Sequence, residues 1–177
     1  NQLSQMKREL AASVFTQARE GIFITNNQGT ILDLNSSFCR ITGYSETEAL
    51  GRQIGMLGGN LAEESYQQKL RKKLVSDGFW EGELQGRRKS GETMVLSFTL
   101  SAVRDAERNV QHFVALFSDI TQQKAQEEKL RFIAHYDSLT GLPNRLLLTD
   151  RIEQSMSQAK RKKSKMAVIF IDLDGFK

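Results

Sequence analysis

Two aspartates, Asp172 and Asp174, follow directly on the longest uninterrupted apolar run of the chain, Met166 to Ile171. A continuous apolar run of that length is the pattern of a central strand buried on both faces. Carboxylates delivered to the carboxyl end of such a strand stand where α/β folds place their ligands. Hard oxygen donors there suit Mg²⁺, which takes one or two protein carboxylates and fills its shell with water and phosphate oxygens. The turn Gly175-Phe176-Lys177 then offers backbone N–H groups to an anion, in the manner of a nest. The competing interpretation is structural: two Asp residues that cap a turn. A second cluster, Lys160, Arg161, Lys162, Lys163 and Lys165, could hold phosphates or meet an anionic surface, but cations are also favoured in the last turn of a helix by its dipole. No aromatic residues interleave with that run, so nucleic-acid binding has no support. Cys39 falls in a short helix as an inert thiol, His112 on a strand beside Val110 and Val114, and His135 in a connecting segment.

Several elements must position these residues. The sequence has 177 residues, 39% apolar and 26% charged, with one Pro and one Cys. Such a chain is globular, neither fibrous nor Pro-rich, and has no internal disulfide. A six-residue apolar run is far short of the ~20 residues that cross a bilayer, and no signal peptide is visible. A cytoplasmic protein is expected, with no membrane segment inside this window. The chain begins at Asn1, not Met, and stops after a strand-like run, which suggests a piece of a longer protein. Residues 1–120 hold 14 Lys/Arg against 14 Asp/Glu, and residues 121–177 hold 11 against 7, so the whole net charge of +4 lies in the last third. That asymmetry predicts two parts.

Leu3, Met6, Leu10 and Val14 recur at spacings of three and four, an amphipathic helix that needs a cover for its stripe. Residues 22–25 and 30–34 read as two strands joined by a turn at Asn26-Asn27-Gln28-Gly29. A short helix stopped by Gly43 follows, then a capping box at Ser45 and Glu48, ended by Gly51. Residues 52–60 read as a loop, and residues 62–75 as a helix with Tyr66, Leu70 and Leu74 on one side. Three strands come next, 79–87, 93–103 and 110–119. The last is apolar on both faces, Val110, Val114 and Leu116 opposing Phe113, Ala115 and Phe117. A sheet with one wet face should not look like this, so the N-terminal helix or a second subunit is expected to cover it. Residues 20–119 thus predict an α+β fold, a five-stranded antiparallel sheet with short helices inserted after its second strand. Residues 121–136 read as a connecting helix, and a helix capped by Asn144 carries Leu148, Ile152, Met156 and Ala159 on one side.

The order Gly21-Ile22, Asn35, Phe38, Thr42-Gly43-Tyr44, Glu48-Ala49-Leu50-Gly51, Trp80-Glu81-Gly82-Glu83-Leu84, Arg88-Lys89-Ser90-Gly91-Glu92 and Asp119-Ile120-Thr121 resembles a PAS sensor domain. Asp137-Ser138-Leu139-Thr140-Gly141-Leu142-Pro143-Asn144-Arg145 with Ile171-Asp172-Leu173-Asp174-Gly175-Phe176-Lys177 is similar to the first ~40 residues of a GGDEF domain, the diguanylate cyclase module. The domains implied are an N-terminal amphipathic helix at 1–16, a PAS sensor at 17–120, a connecting helix at 121–136 and the start of a GGDEF domain, an α/β fold, at 137–177. The resemblance implies Asp172 and the carbonyl of Leu173 as metal ligands for Mg²⁺, and Phe176 and Lys177 as backbone contacts to GTP. Asp137 and Arg145 then have structural roles. It also implies a homodimer, because two GGDEF domains, each with one GTP, join to make cyclic di-GMP. This fragment is expected to be inactive by itself. An alternative is a PAS interaction module with a degenerate, GTP-binding GGDEF domain that regulates a downstream cyclic di-GMP phosphodiesterase.

Trp80, Phe38 and Tyr44 are the expected ligand pocket of the PAS domain. Flavin is a possible cofactor, since flavin-binding redox members of the family line the pocket with an aromatic near Trp80. Gly51-Arg52-Gln53-Ile54 carries Ile54 where flavin photosensors carry a reactive Cys, which argues against cysteinyl-flavin photochemistry. Residues 62–76 contain no His to ligate haem.

Overall fold

The computed structural model describes residues 2–172 and Gly175, and the chain divides into two units, residues 1–124 and 125–177. In the first unit the element order is α1 (Gln2–Gln17), β1 (Gly21–Asn26), β2 (Ile31–Leu34), α2 (Ser36–Thr42), α3 (Glu46–Ala49), two 3₁₀ turns (Ile54–Leu57 and Gly59–Ala62), α4 (Glu64–Asp77), β3 (Phe79–Arg87), β4 (Thr93–Arg104) and β5 (Val110–Asp119). The five strands form one antiparallel sheet in the order β2-β1-β5-β4-β3. The first and last strands by sequence therefore meet in the middle, with Gly21 opposite Phe117 and Ile24 opposite Val114.

Local chemistry explains the short elements. Asn35 caps α2 by accepting from the Phe38 N–H, and Gly43 ends that helix in the left-handed conformation at φ 79°. The capping box forms as expected, Ser45 accepting from the Glu48 N–H while Glu48 accepts from the Ser45 N–H. Residues 52–60 are more ordered than a loop, since the glycines allow two tight 3₁₀ turns. Gly59 lies so close to β3 that a Cβ there would stand 1.9 Å from the Gln85 carbonyl oxygen, and its φ is +57°. Asn60 Oδ1 accepts the outward Gln85 N–H at 2.9 Å, which satisfies that donor at the edge of the sheet. At the other edge the Ile31 N–H donates to the Arg52 carbonyl and the Gly51 N–H to the Ile31 carbonyl, both at 2.8 Å.

The inner face of the sheet packs against α2, the 3₁₀ turns and α4 around Phe23, Phe38, Phe98 and Phe117, whose rings meet edge to face or stacked with centroids 5.1–6.3 Å apart. Outward, Ile24, Val114 and Leu116 stay partly exposed. Here an expectation fails for the single chain: α1 forms, but it does not lie on this face. Leu3, Met6, Leu10 and Val14 remain 61–66% exposed, and the helix contacts α2. The reason lies at its carboxyl end, which is held by polar side chains of α2 and its cap, while the apolar stripe stays exposed.

In the second unit, α5 (Thr121–His135) crosses the division and α6 (Arg145–Lys162) follows, begun by Asn144, which accepts from the Leu147 N–H. Residues 166–171 are not a strand but an irregular segment, with Ile169, Phe170 and Ile171 81–91% exposed. An apolar run becomes a buried strand only when neighbouring strands take up its backbone groups and cover its faces. Among the described residues no strand pairs with it.

Candidate functional site

Three places combine chemistry with geometry. The first is a cavity between the inner sheet face and α4, lined by Phe23, Thr25, Leu70, Phe98, Phe113 and Ala115, among others, with Gln67 and Arg71 of α4 also on its wall. It arises because α4 lays Leu70 and Leu74 against the sheet without filling the space over Ala115. It leaves about 40 Å³ for the centres of water-sized molecules. At ~10–15 Å³ each, that admits about three waters, whereas organic cofactors sit in pockets of ~300–1,000 Å³. In this form the cavity is smaller than an organic cofactor, and its polar lining side chains are Thr25, Gln67 and Arg71. The aromatic residues expected to form the pocket are not among its lining residues. Phe38 is fully buried in the core. The Trp80 indole lies across Gly82, where a Cβ would come within 2.6 Å of the ring. Tyr44 is half-buried beside a surface groove with Thr47, Arg52 and Met56. Cys39 is half-buried, and burial first, then the Glu46 charge, pushes its thiol pKa up, so it is a poor nucleophile. His112 is exposed on β5, and His135 Nδ1 sits 2.9 Å from the Arg131 carbonyl.

The second place is the exit from the sheet. Asp119, the last residue of β5, accepts from the Thr121 N–H at 2.9 Å and from the Thr121 hydroxyl at 2.5 Å, and pairs through its other oxygen with Arg88. Thr121 in turn accepts from the Val95 N–H at 2.9 Å. Arg88 also donates to the Ile41 carbonyl and meets Glu92 at 3.2 Å. Burial pushes the Asp119 pKa up, but the Thr121 hydrogen bonds and the Arg88 charge outweigh it and hold the carboxyl below its ordinary value. Lys124 reaches Glu83 at 2.7 Å, so the first turn of α5 is tied to both β4 and β3. The segment Asp119-Ile120-Thr121 stood out in the sequence only through resemblance, and Arg88 had no assigned role. Two of its partners, Asp119 and Ile41, are 31 and 47 residues away, beyond any local signal.

The third place is the segment after α5. Asp137 Oδ1 accepts from the N–H groups of Leu139 and Thr140 and from the Thr140 hydroxyl, at 2.8–3.2 Å, which holds its pKa down. Asn144 donates to the Ala134 carbonyl at 2.7 Å, and its N–H donates to the His135 carbonyl at 2.8 Å. One residue thus ends α5 and begins α6, and Asp137 shapes the turn between them. Asp172 is exposed, and among the described residues no group of three His, Cys, Asp or Glu could hold a metal. Leu173, Asp174, Phe176 and Lys177 lie outside the described residues.

A five-stranded antiparallel sheet with inserted helices over an inner cavity, followed by a locked exit into a helix, defines a sensor-type α+β domain. The chain belongs to the PAS domain family, which matches residues 19–122. Residues 134–177 match the family described as diguanylate cyclase, GGDEF domain. Among relatives, the cyclic di-GMP phosphodiesterase PdeR of Escherichia coli is 27% identical over 168 residues, 94% of this chain and 25% of that protein. The bifunctional diguanylate cyclase/cyclic di-GMP phosphodiesterase MucR of Pseudomonas aeruginosa is 52% identical over 54 residues, 30% of this chain and 8% of that protein. The crystal structure of a PAS domain from Colwellia psychrerythraea superposes with a TM-score of 0.62 at 22% identity, covering 66% of this chain and 98% of that one. This chain spans about a quarter or less of the length of these curated relatives. No described helix is long and apolar enough to cross a membrane.

Proposed function

We propose that this chain is the sensor and the opening catalytic segment of a bacterial, cytoplasmic signalling protein in which a PAS domain regulates a diguanylate cyclase that joins two GTP into cyclic di-GMP. The observation that carries the proposal is the continuity at the exit. β5 runs through the locked Asp119-Ile120-Thr121 segment into α5, and α5 leads straight into the residues that match the GGDEF family. The sensor is then residues 17–120 behind a helix at 1–16, the connector 121–136 and the cyclase start 137–177.

In this proposal Asp172 supplies a carboxylate and Leu173 a carbonyl to Mg²⁺, while the backbones of Phe176 and Lys177 meet the GTP phosphates. When bound, the metal neutralises phosphate charge and orients the attacking oxygen. The residues upstream contribute shape: Asp137 folds the turn and Asn144 sets the start of α6. Activity needs two copies, because each GTP is attacked by the other. In the full-length parent, Asp172→Ala abolishes metal-dependent formation of cyclic di-GMP from GTP, measured by chromatography of the nucleotide products. Retained turnover would show that the metal is held elsewhere.

The similarity to PdeR over nearly the whole chain favours a second reading, in which the GGDEF domain binds GTP and regulates a phosphodiesterase. The same assay separates the two: the regulator consumes added cyclic di-GMP faster when GTP is present and makes none.

A further inference from the structure

The carboxyl end of α1 has carbonyl groups that no helical N–H can reach, and such groups need partners from outside the helix. Four side chains of α2 and its cap bind the chain there, at Phe15 and Thr16 in the last turn of α1 and at Ala18, Arg19 and Glu20 in the link to β1. Asn35 Nδ2 donates to the carbonyls of Phe15 and Glu20, both at 3.0 Å. The Ser36 hydroxyl reaches Thr16 at 3.4 Å, the Ser37 hydroxyl reaches Ala18 at 2.5 Å, and Arg40 reaches Arg19 at 3.0 Å. Arg40 also donates to the Ser37 hydroxyl at 2.9 Å, which joins two of these grips. Asn35 is itself fixed by the N–H groups of Ile22 and Phe38, at 2.9 and 3.0 Å, so the joint includes the start of β1 and the first turn of α2.

The opposite end of α2 is held as well. Arg88 donates to the Ile41 carbonyl, and the Lys89 N–H donates to the Thr42 carbonyl at 2.9 Å. Arg88 then pairs with Asp119, which holds the N–H and hydroxyl of Thr121 at the start of α5. An unbroken polar chain therefore runs from the end of the incoming helix, along α2, through Arg88, to the first turn of the outgoing helix.

We infer that α2 is a strut that couples the position of α1 to the first turn of α5, with Arg88 as its joint, so that the domain relays a displacement of its N-terminal helix as well as events in its cavity. The seven-residue α2 suits this task, because two turns of helix gripped at both ends shift as one body. The proposal concerns residues 2–124 alone and stands whether or not the downstream segment belongs to an active cyclase. A second route exists through the sheet, since β1 and β5 pair directly and Ser118 reaches Glu20 at 3.4 Å. The two routes differ in their dependence on Arg88.

The test is amide hydrogen exchange by NMR on the 177-residue chain, in a double-mutant design. Ser37→Ala, at a buried position, with Arg40→Met, at an exposed one, loosens the grip on the residues that end α1 and leaves the apolar core side chains in place. Arg88→Met removes the joint, and Asp119→Asn removes it from the other side should Arg88→Met fail to fold. Unchanged protection of the Phe98 and Phe117 amides shows that the sheet is preserved. Loosening the α1 grip is expected to speed exchange in the first turn of α5, read at Lys124, by about threefold or more, the size that coupling of this class carries. In the Arg88→Met or Asp119→Asn background the same grip substitutions are expected to add nothing. No change at Lys124 in the first comparison, or an equal and independent increase in both backgrounds, would overturn the strut.

Discussion

Asp119 is held by Thr121 and Arg88, and that environment predicts its behaviour. Its side chain is 19% exposed and that of Arg88 25%, so the pair is only partly screened by water. Asp119→Asn keeps the shape and removes the charge, and it should cost about 1–3 kcal/mol, the range for a hydrogen bond to a charged group. A fall in the urea midpoint with an unchanged slope would register this loss. The pH dependence follows from linkage. The folded pKa lies below the unfolded value of about 3.9, so the stabilisation is complete above that value and is lost as pH falls through the folded pKa. Asp137 titrates in the same sense, and so does Glu48, held down to about 2 by Lys89 and Ser45. The urea midpoint should therefore drop below about pH 4. Part of that drop should be missing in Asp119→Asn, and an identical acid limb in both proteins would exclude Asp119 as a contributor.

Among the elements, the second 3₁₀ turn is the most sensitive to a small change. Gly59 combines a positive φ with a Cβ position 1.9 Å from the Gln85 carbonyl oxygen, and that oxygen belongs to a strand with little freedom to retreat. Gly59→Ala must either strain the turn or push it off β3, which should cost about 2 kcal/mol or more. Thermal unfolding would measure it, and Gly91→Ala, at a positive φ in open space, gives the strain without the clash. The elements themselves were largely legible in the sequence. Alternation marked β3, β4 and β5 to within a residue, and Gly43, the Ser45–Glu48 box and Asn144 marked helix ends, because capping is a local interaction. The cavity was not legible. Which aromatics fill the core and which border a space depends on how α4 packs, so Phe38 became core while Thr25 and Ala115 became cavity wall. Nor was the strand at 166–171 realised, since apolar content supplies the faces of a strand but not its neighbours. The assignment of 134–177 therefore rests on the match in sequence and on the Asp137–Asn144 turn, not on that strand.

At the scale of the whole molecule, the first unit presents an exposed apolar stripe on α1 and a partly exposed apolar outer sheet face around Ile24, Val114 and Leu116. Burial of such surface gains roughly 25 cal/mol per Å², and a second copy can supply the cover that the single chain does not. Sedimentation of the chain should show a dimer that dissociates on dilution, and Met6→Glu with Leu10→Glu should leave a monomer with unchanged near-ultraviolet circular dichroism. A monomer at every concentration would remove this assembly. The borders of the sheet bear on the same question. The Arg52 carbonyl holds the Ile31 N–H at one border and Asn60 holds the Gln85 N–H at the other. A strand from another molecule would have to displace those bonds to extend the sheet, which works against growth into a fibre.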